Sequence, residues 1–541
     1  MTAVPRPQIA VAWALCLLVA PVLVQGVTRV LSAWTGAPHP ALSITLAALA
    51  PTLLAGAALL LRGRPVPALA WLTALAAAIA LATHAALAPG LVAAALAGWL
   101  AASALPRLAA VAPAPRGRVT GVLWALLAVL ALAQVGRMSV FMADPHATWG
   151  ALSPTPFMTR HSCLSSYIHG AELARRGDAN IYDDRYGFDE HTPAPELPSA
   201  IDIGPLTMDT YEYPPQFLPL PRLLLAVTRD FLAIRALFFL LTAAAVAAAG
   251  VVLARWLGGD ADRRMRLLVP AIALSVPVLG TAYFGNFQLM AICLAAVAMQ
   301  WIWTGRTRRG AALLAFLIGA KIFPGILGVY LLAARRFAAA AWTAAFAALY
   351  AAVALVWFGS RPFVDFFTYH LPRLASGETF AFLAVPSASM GNLGVFGLPF
   401  KLRIAGWSGS EADAWALARQ LSWGYTLVIV ALAALAGWRA RTPDDAHARA
   451  RTAGVWLGLL GLGALRSPFA PPEALIPLVW ALALRAAAGQ TRREVIVATI
   501  AWVAMMIIIP VPAPAAAILG LTMQALIYTT AVVLVLSGPR R

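Results

Sequence analysis

Long apolar runs recur along almost the whole sequence and restrict the folds that are open to it. A helix that crosses a bilayer needs about 20 apolar residues, within a range of about 17–25. In lipid, backbone polar groups must be satisfied inside helices or closed barrels. Runs of suitable length occupy residues 9–31, 41–61, 66–88, 90–106, 119–141, 231–254, 266–284, 288–304, 337–357, 421–438, 452–466, 474–489, 495–511 and 515–536. We therefore expect an all-α, polytopic bundle of about 14 transmembrane helices.

Composition supports a membrane protein over a soluble one. Hydrophobic residues make up 61% of the 541 residues and charged residues only 11%, whereas soluble domains average about 45–50% and about 25%. The net charge of +18 would suggest nucleic-acid binding in a soluble protein. Here the arginines lie in short loops between apolar runs, where they act as topology signals, so we expect no nucleic-acid partner.

The positions of the arginines predict the orientation of the chain. Basic loops that border cytoplasmic helix ends are typical of inner-membrane proteins. Such loops hold Arg62/Arg64, Arg107/Arg116/Arg118, Arg255/Arg263/Arg264/Arg266, Arg306/Arg308/Arg309, Arg439/Arg441/Arg449/Arg451, Arg492/Arg493 and Arg540/Arg541. With both termini in the cytoplasm of a bacterial-type inner membrane, all of these loops are cytoplasmic, and the long polar loops 142–230 and 358–420 are extracytoplasmic.

Two segments need special treatment to satisfy this orientation. Residues 217–228 are too short to span and contain two prolines, which predicts an interfacial helix. Residues 310–334 are bounded by arginines at both ends, which favours a re-entrant hairpin with its turn at Lys321–Pro324. A single tilted span is the alternative for 310–334. Irregular backbone at membrane depth is tolerated where it lines protein or a wet cavity.

The sequence divides into two expected domains. Residues 1–118 form four Ala/Leu-rich spans with few polar groups, which is typical of a scaffold, and residues 119–541 form the rest. The first outer loop is chemically distinct, because residues 142–215 hold 11 of the 22 acids and 4 of the 8 histidines. Within it, Ser162–Arg176 is predicted to be a short helix that stops at Gly177.

Several short motifs occur in a fixed order across residues 120–540. The first outer loop holds Tyr167, Ala171, Gly177, Ile181-Tyr182-Asp183 and Tyr213-Pro214-Pro215. Farther along the chain are Gly285-Asn286-Phe287-Gln288, Lys321-Ile322-Phe323-Pro324 and Ser467-Pro468. In order and spacing this set resembles the GT-C superfamily of membrane glycosyltransferases, and in particular the polyprenyl-phosphate-mannose-dependent mannosyltransferases of actinobacteria.

The resemblance implies a GT-C-like fold with a large extracytoplasmic catalytic loop. It also implies an inverting transferase that moves a mannose-like hexose from a polyprenyl monophosphate to a lipid or glycan acceptor. The sequence departs from the pattern at Cys163, where an acid is expected four residues before Tyr167, and after Ser467-Pro468, where an aromatic and a histidine are expected. An inactive relative, or one with a different acceptor, is therefore an open alternative.

The chemistry of such a transfer requires particular side chains. A carboxylate or histidine must take the proton of the acceptor hydroxyl. The candidates are Asp144, where the span 119–141 emerges, His161, which lies near the missing acid, and Asp178. Each of the three is equally compatible with an ordinary loop residue. The phosphate leaving group needs fixed donors or cations in a water-poor site, and a monophosphate requires no metal or other cofactor.

Lys321 is the main candidate for the phosphate contact, since a cation inside an apolar segment normally faces a cavity or a partner. Arg466, at an outer helix end, is a second candidate. The remaining substrate-binding candidates are Tyr167, Glu212, Tyr213, Asn286 and Gln288. For Asn286 and Gln288, capping of a helix junction is an equal alternative. A snorkelling or structurally paired lysine is the alternative for Lys321.

A second class of function remains open from the sequence alone. Transporters and lipid-handling membrane proteins often contain broken helices at mid-membrane, and the segment 310–334 fits that description. Such proteins also often contain internal repeats, and none is evident here. A cavity open only to the outer face and to lipid would favour the transferase, and a cavity that opens alternately to both faces would favour a transporter.

Overall fold

The computed structural model describes residues 118–177, 180–188, 196–506 and 513–539. The expected spans 9–31, 41–61, 66–88 and 90–106, and with them almost all of the expected scaffold 1–118, lie outside the described residues. The described part is all-helical, apart from one isolated antiparallel bridge between Phe188 and Met208. This agrees with the expected fold class.

The described residues fall into two compact units. The first unit consists of the described residues within Met1–Ser162, Asp202–Thr207 and Leu225–Leu241. The second unit consists of the described residues within Cys163–Ile201, Met208–Leu224 and Thr242–Arg541. The α-helices of the described chain are Arg118–Ala143, Pro156–Arg160, Leu164–Arg176, Pro219–Val227, Phe231–Leu257, Gly259–Ala273, Val276–Phe284, Gln288–Trp303, Thr307–Ala320, Ile326–Ala333, Phe337–Phe358, Arg361–Asp365, Leu371–Ser376, Pro386–Gly391, Leu398–Ile404, Glu411–Arg439, Ala446–Ala464, Ile476–Ala488, Arg492–Ala504 and Ala513–Leu536.

Four described helices are long and apolar enough to cross a membrane: Phe231–Leu257, Phe337–Phe358, Glu411–Arg439 and Ala515–Leu536. A fifth candidate is a bent pair of helices. The expected number of about 14 spans is thus not confirmed. Several predicted runs form shorter helices, such as Gln288–Trp303 with 16 residues and Ile476–Ala488 with 13. At about 1.5 Å per residue, these do not reach across about 30 Å of hydrocarbon.

The run 266–284, predicted to be a single span, is broken in the structure. Helix Gly259–Ala273 ends, and helix Val276–Phe284 begins at an angle of 59° to it. Ser275 lies between them with extended backbone angles and Pro277 follows in the first turn of the second helix. A proline is favourable in a first turn because its missing N–H would have no partner there. The sequence Ser-Val-Pro therefore starts a new helix here.

The segment 310–334 is divided where the sequence predicts. Helix Thr307–Ala320 ends, Lys321 takes an extended conformation (φ −141°, ψ 121°), and helix Ile326–Ala333 follows a short 3₁₀ turn. A proline ring clashes with the carbonyl group four residues earlier in a helix, and for Pro324 that residue is Ala320. A re-entrant path for this segment stays a prediction.

Other boundaries follow local capping signals. Helix Leu164–Arg176 ends at Gly177, which adopts a left-handed conformation (φ 76°), as predicted. The segment 217–228 contains the expected short helix, Pro219–Val227, and its interfacial position stays a prediction. Helix Glu411–Arg439 begins ten residues before the predicted run 421–438, because Ser410 and Asp413 form a reciprocal capping box that satisfies two free N–H groups.

The segment 358–420, predicted to be the second outer loop, contains a hydrophobic core. Its buried members are Phe380, Leu383, Phe396, Phe400, Ala414 and Ala418, with Trp415 packed against them. Helices Ala446–Ala464 and Ile476–Ala488 are buried along nearly their whole length. These central helices carry the Ser467-Pro468 turn and the segment Pro472–Leu475 between them, which contributes to the site described next.

Candidate active site

Tyr167 connects three separate parts of the second unit. It lies on helix Leu164–Arg176 and is fully buried. Its hydroxyl donates to the hydroxyl of Tyr213 at 3.0 Å and accepts from the backbone N–H of Phe287 at 3.1 Å. The motif around Tyr167, the Tyr-Pro-Pro motif and the Gly-Asn-Phe-Gln junction therefore meet at one point.

Tyr213 also binds Lys321. The Lys321 ammonium donates to the Tyr213 hydroxyl at 3.1 Å and lies 4.3 Å from the centre of the same ring. The backbone carbonyl of Tyr213 accepts from the Tyr182 hydroxyl at 3.0 Å. Since the Tyr213 oxygen accepts from both Lys321 and Tyr167, its own proton is available for donation to a further group.

Carboxylates surround this cation. Lys321 interacts electrostatically with Glu212 and Glu473, and Glu212 interacts with both Lys321 and Asp209. Desolvation, reinforced by Asp209, raises the pKa of Glu212 to about 8 even though Lys321 opposes the shift. A carboxyl group whose pKa lies close to neutral pH is suited to proton transfer.

Cys163 lies in this cluster, at the position where the resemblance leads one to expect an acid. Desolvation, followed by the Asp209 and Glu473 carboxylates, raises the pKa of its thiol well above the usual range. The thiol therefore stays protonated near neutral pH and is a poor base or nucleophile. Position 163 itself has no carboxylate, but carboxylates near Cys163 are supplied by Asp209, Glu212 and Glu473.

Asp209 and Glu473 were not predicted as site residues. Asp209 is four residues before Tyr213, and its backbone N–H bonds to the Ser165 side chain at 3.2 Å. Glu473 is buried at 8% exposure and follows the Ser467-Pro468 turn. Two features of the sequence could have indicated these residues. Asp209 lies close to the Tyr-Pro-Pro motif, and Glu473 lies close to the position where the resemblance leads one to expect a histidine.

The second outer loop packs against the backbone next to this cluster. His370 contacts the Glu212 carbonyl oxygen through Nε2 at 3.2 Å and stacks on Tyr182, with ring centres 4.8 Å apart. Burial lowers the pKa of His370 to about 4, so the ring is neutral. Arg373 bonds Asp184 of the first loop and Glu378 of its own loop. The two predicted outer loops are thus joined beside Glu212.

The predicted substrate-binding residues have different environments. Tyr167, Glu212, Tyr213 and Lys321 come together as described. The Asn286 side chain accepts from the backbone N–H of Gln288 at 3.0 Å, which is the helix-junction capping considered from the sequence. Gly285 precedes it with φ 68°, and this junction presents the Phe287 N–H to Tyr167. A direct substrate contact of Asn286 or Gln288 stays a prediction.

The remaining predicted site residues are placed as follows. Arg466 donates to the Thr426 hydroxyl at 2.6 Å on helix Glu411–Arg439. Asp144 belongs to the first unit, where its side chain accepts from the His146 N–H at 3.1 Å. His161, also in the first unit, stacks on Phe157 with ring centres 4.8 Å apart. Asp178 lies outside the described residues. The catalytic roles predicted for Asp144, His161 and Asp178 stay predictions.

Comparison with known proteins gives one match. The model of glycosyltransferase family 87 matches residues 211–468, a stretch that includes Glu212, Tyr213, Lys321 and Ser467-Pro468. No curated protein and no solved structure matches. The match supports the expected membrane glycosyltransferase over these residues, while the narrower resemblance to actinobacterial mannosyltransferases stays a prediction. Over residues 211–468 the chain is similar to glycosyltransferase family 87, a GT-C-like family, and the match indicates a membrane glycosyltransferase.

Proposed function

We propose that the protein transfers a hexose from a polyprenyl monophosphate to a lipid or glycan acceptor, with inversion at the anomeric carbon. The observation that carries this proposal is the Lys321 ammonium, held 3.1 Å from the Tyr213 hydroxyl and within electrostatic reach of Glu212. One cation, one available hydroxyl donor and a carboxylate of raised pKa match the requirements of transfer from a lipid-linked sugar phosphate.

The proposed reaction is a single displacement. The ionised Glu212 carboxylate takes the proton of the acceptor hydroxyl as the acceptor oxygen bonds to the anomeric carbon. The bond from that carbon to the phosphate oxygen breaks, and the bonding electrons leave with the polyprenyl phosphate. Lys321 and the Tyr213 hydroxyl stabilise the charge on the departing phosphate oxygen. Glu212 then releases the proton to solvent.

Asp209 and Glu473 have supporting roles in this proposal. Asp209 raises the pKa of Glu212, which makes the carboxylate a stronger base once it is ionised. Glu473 interacts with Lys321 and helps to keep the ammonium charged in a desolvated site. The neighbouring carboxylates offer a substitute for the acid that is missing at Cys163, which favours an active transferase over an inactive relative.

The location of the reaction is part of the same proposal. We infer that the reaction takes place on the outer side of the inner membrane, because the arginine-rich loops favour cytoplasmic termini. A polyprenyl chain embedded in the membrane would bring its phosphate to the cluster around Lys321 from the lipid. Membrane lipid, the sugar donor and the acceptor are the expected partners.

The test is a transfer assay with purified protein in lipid vesicles and polyprenyl-phosphate mannose or glucose as donor, measuring release of polyprenyl phosphate. Lys321→Met should lower kcat about 10²–10³-fold, which is typical for loss of one donor to a developing oxyanion. Lys321→Arg should retain part of the activity because the charge remains. Arg419→Met, at an exposed arginine on helix Glu411–Arg439, is the matched control and should be unaffected. If neither donor is hydrolysed or transferred by the parent protein, the proposal fails.

A further inference from the structure

A cavity lies at the far end of the helix that follows Lys321. Helix Ile326–Ala333 starts close to Lys321 and ends at this cavity after eight residues, which is about 12 Å of helix. The cavity has a volume of about 300 Å³, and its lining residues are Trp303, Ala334, Arg335, Arg336, Ala440, Arg441 and Thr442. All of them belong to the second unit.

Three of the lining residues are arginines, and the lining includes no acid. The structure gives Arg335, Arg336 and Arg441 no salt bridge with any carboxylate of the described residues. Three guanidinium groups that line one cavity repel each other. An anion in the cavity would offset it.

Other features of the cavity also suit an anion. The Arg336 guanidinium lies over the Trp303 ring at 4.8 Å, which fixes the plane of its donors. Arg336 is also the N-cap of helix Phe337–Phe358, a helix of 22 residues with no side-chain cap and no acid in its first turn. The positive end of this helix dipole therefore lies next to the cavity at Arg336, where it favours a negative charge.

Arginine is the cation best matched to one class of anion. Its planar fork pairs with two oxygens of a phosphate or carboxylate, and Thr442 adds a hydroxyl to the lining. The volume is at the lower end of the range of small-molecule pockets, about 300–1,000 Å³. It fits a phosphate with a small group attached, and the basic loops that supply these arginines are those predicted to face the cytoplasm.

We propose that this cavity binds a phosphate group, carried by a phospholipid headgroup or by a small soluble phosphate compound. The site is separate from the cluster around Lys321, and the proposal does not depend on the transferase function. In this proposal Arg335, Arg336 and Arg441 bind a ligand, in addition to their predicted role in setting the membrane orientation of the chain.

The test uses the full-length protein in detergent and native mass spectrometry. The probes are dioctanoyl phosphatidylglycerol, dioctanoylglycerol without phosphate, inorganic phosphate and pyrophosphate. The phosphate-bearing lipid should bind, and the triple variant Arg335→Gln/Arg336→Gln/Arg441→Gln should bind it at least about tenfold more weakly. If inorganic phosphate or pyrophosphate competes with the lipid, the cavity recognises the phosphate group itself. Lack of competition would assign the site to a lipid headgroup.

The matched control removes the same charge elsewhere. Arg306, Arg492 and Arg493 are exposed and belong to basic loops that do not line the cavity. Their triple change to glutamine should leave binding within about twofold of the parent. Equal weakening in both triple variants, or equal binding of dioctanoylglycerol, would overturn the proposal. If the triple cavity variant does not fold, the exposed Arg441→Glu alone carries the test and should still weaken binding several-fold.

Discussion

The raised pKa of Glu212 leads to a specific dependence of activity on pH. A general base acts only when it is ionised, and the pKa of Glu212 in the folded protein is about 8. We therefore expect kcat/KM to rise with pH along a limb of unit slope and to level off above about pH 8. For an ordinary glutamate, with a pKa near 4.3, the limb would lie more than three pH units lower.

The magnitude follows from the ionised fraction. With a pKa of about 8, about 1% of Glu212 is ionised at pH 6, about 9% at pH 7 and half at pH 8. The structure thus predicts about a fifty-fold rise of kcat/KM between pH 6 and pH 8. Glu212→Gln should lower the plateau rate about 10²–10⁴-fold and remove this limb.

Asp209 offers a sharper check, because its charge contributes to the raised pKa. In Asp209→Asn, the limb should move to lower pH, since ionised Glu212 no longer faces that negative neighbour. A purely structural role of Asp209 would change the rate without moving the limb. Glu196→Gln, at an exposed glutamate of the same loop, is the matched control and should leave the profile in place.

The assay is the release of polyprenyl phosphate, measured from pH 5.5 to 9. Folding is followed in parallel by thermal unfolding in detergent. Because the folded-state pKa of Glu212 is about 8 and the unfolded value is about 4.3, the parent loses stability as the pH rises from about 4 to about 8 and loses no more above that pH. Relative to the parent, Glu212→Gln should consequently gain stability progressively from pH 5.5 to pH 8, and the difference should stay constant from pH 8 to pH 9. A parent profile that is flat from pH 6 to 8, or a limb that persists in Glu212→Gln, would refute the role of Glu212 as the base.

Three further predictions concern stability and loop docking. Lys401→Met should lower the unfolding free energy by about 2–4 kcal/mol in detergent melts, because the buried ammonium bonds the Asn392 carbonyl and the Gln524 side chain, and each acceptor left unsatisfied costs about 1–3 kcal/mol. A loss below 1 kcal/mol would contradict this. Gly177→Ala should cost about 1–2 kcal/mol because φ is 76° there, with open space around the new methyl group; an unchanged melt would contradict the strain argument. Arg373→Gln should speed hydrogen exchange in residues 361–378 by loss of the bonds to Asp184 and Glu378, and unchanged exchange would show that the loop is held by other contacts.

Local signals predicted several elements of the fold correctly. Gly177 marks the end of a helix because a residue without Cβ adopts φ above zero at little cost. Pro324 predicts the break after Ala320 through a clash within the chain itself. In each case the cause lies within a few residues of the effect.

Other features depend on contacts between distant residues. The hydroxyl of Tyr167 meets the N–H of Phe287, 120 residues away, and no local pattern indicates that pairing. The same holds for Glu473, whose role depends on a turn between two buried helices. The expected number of about 14 spans stays a prediction, because an apolar run signals burial in protein as strongly as burial in lipid. Helices such as Ile476–Ala488 are apolar because other helices surround them.

The nearly exclusive use of arginine as the cationic residue has a practical consequence. Of 40 basic residues only Lys321 and Lys401 are lysines, and Lys401 is fully buried against Asn392 and Gln524. Apart from the α-amino group, Lys321 is then the one partly accessible amine of the chain. An amine-reactive reagent should report the state of the site in the unmodified protein, with slower labelling whenever a sugar phosphate occupies it. Lys321 therefore serves as an intrinsic chemical probe of occupancy at the proposed site.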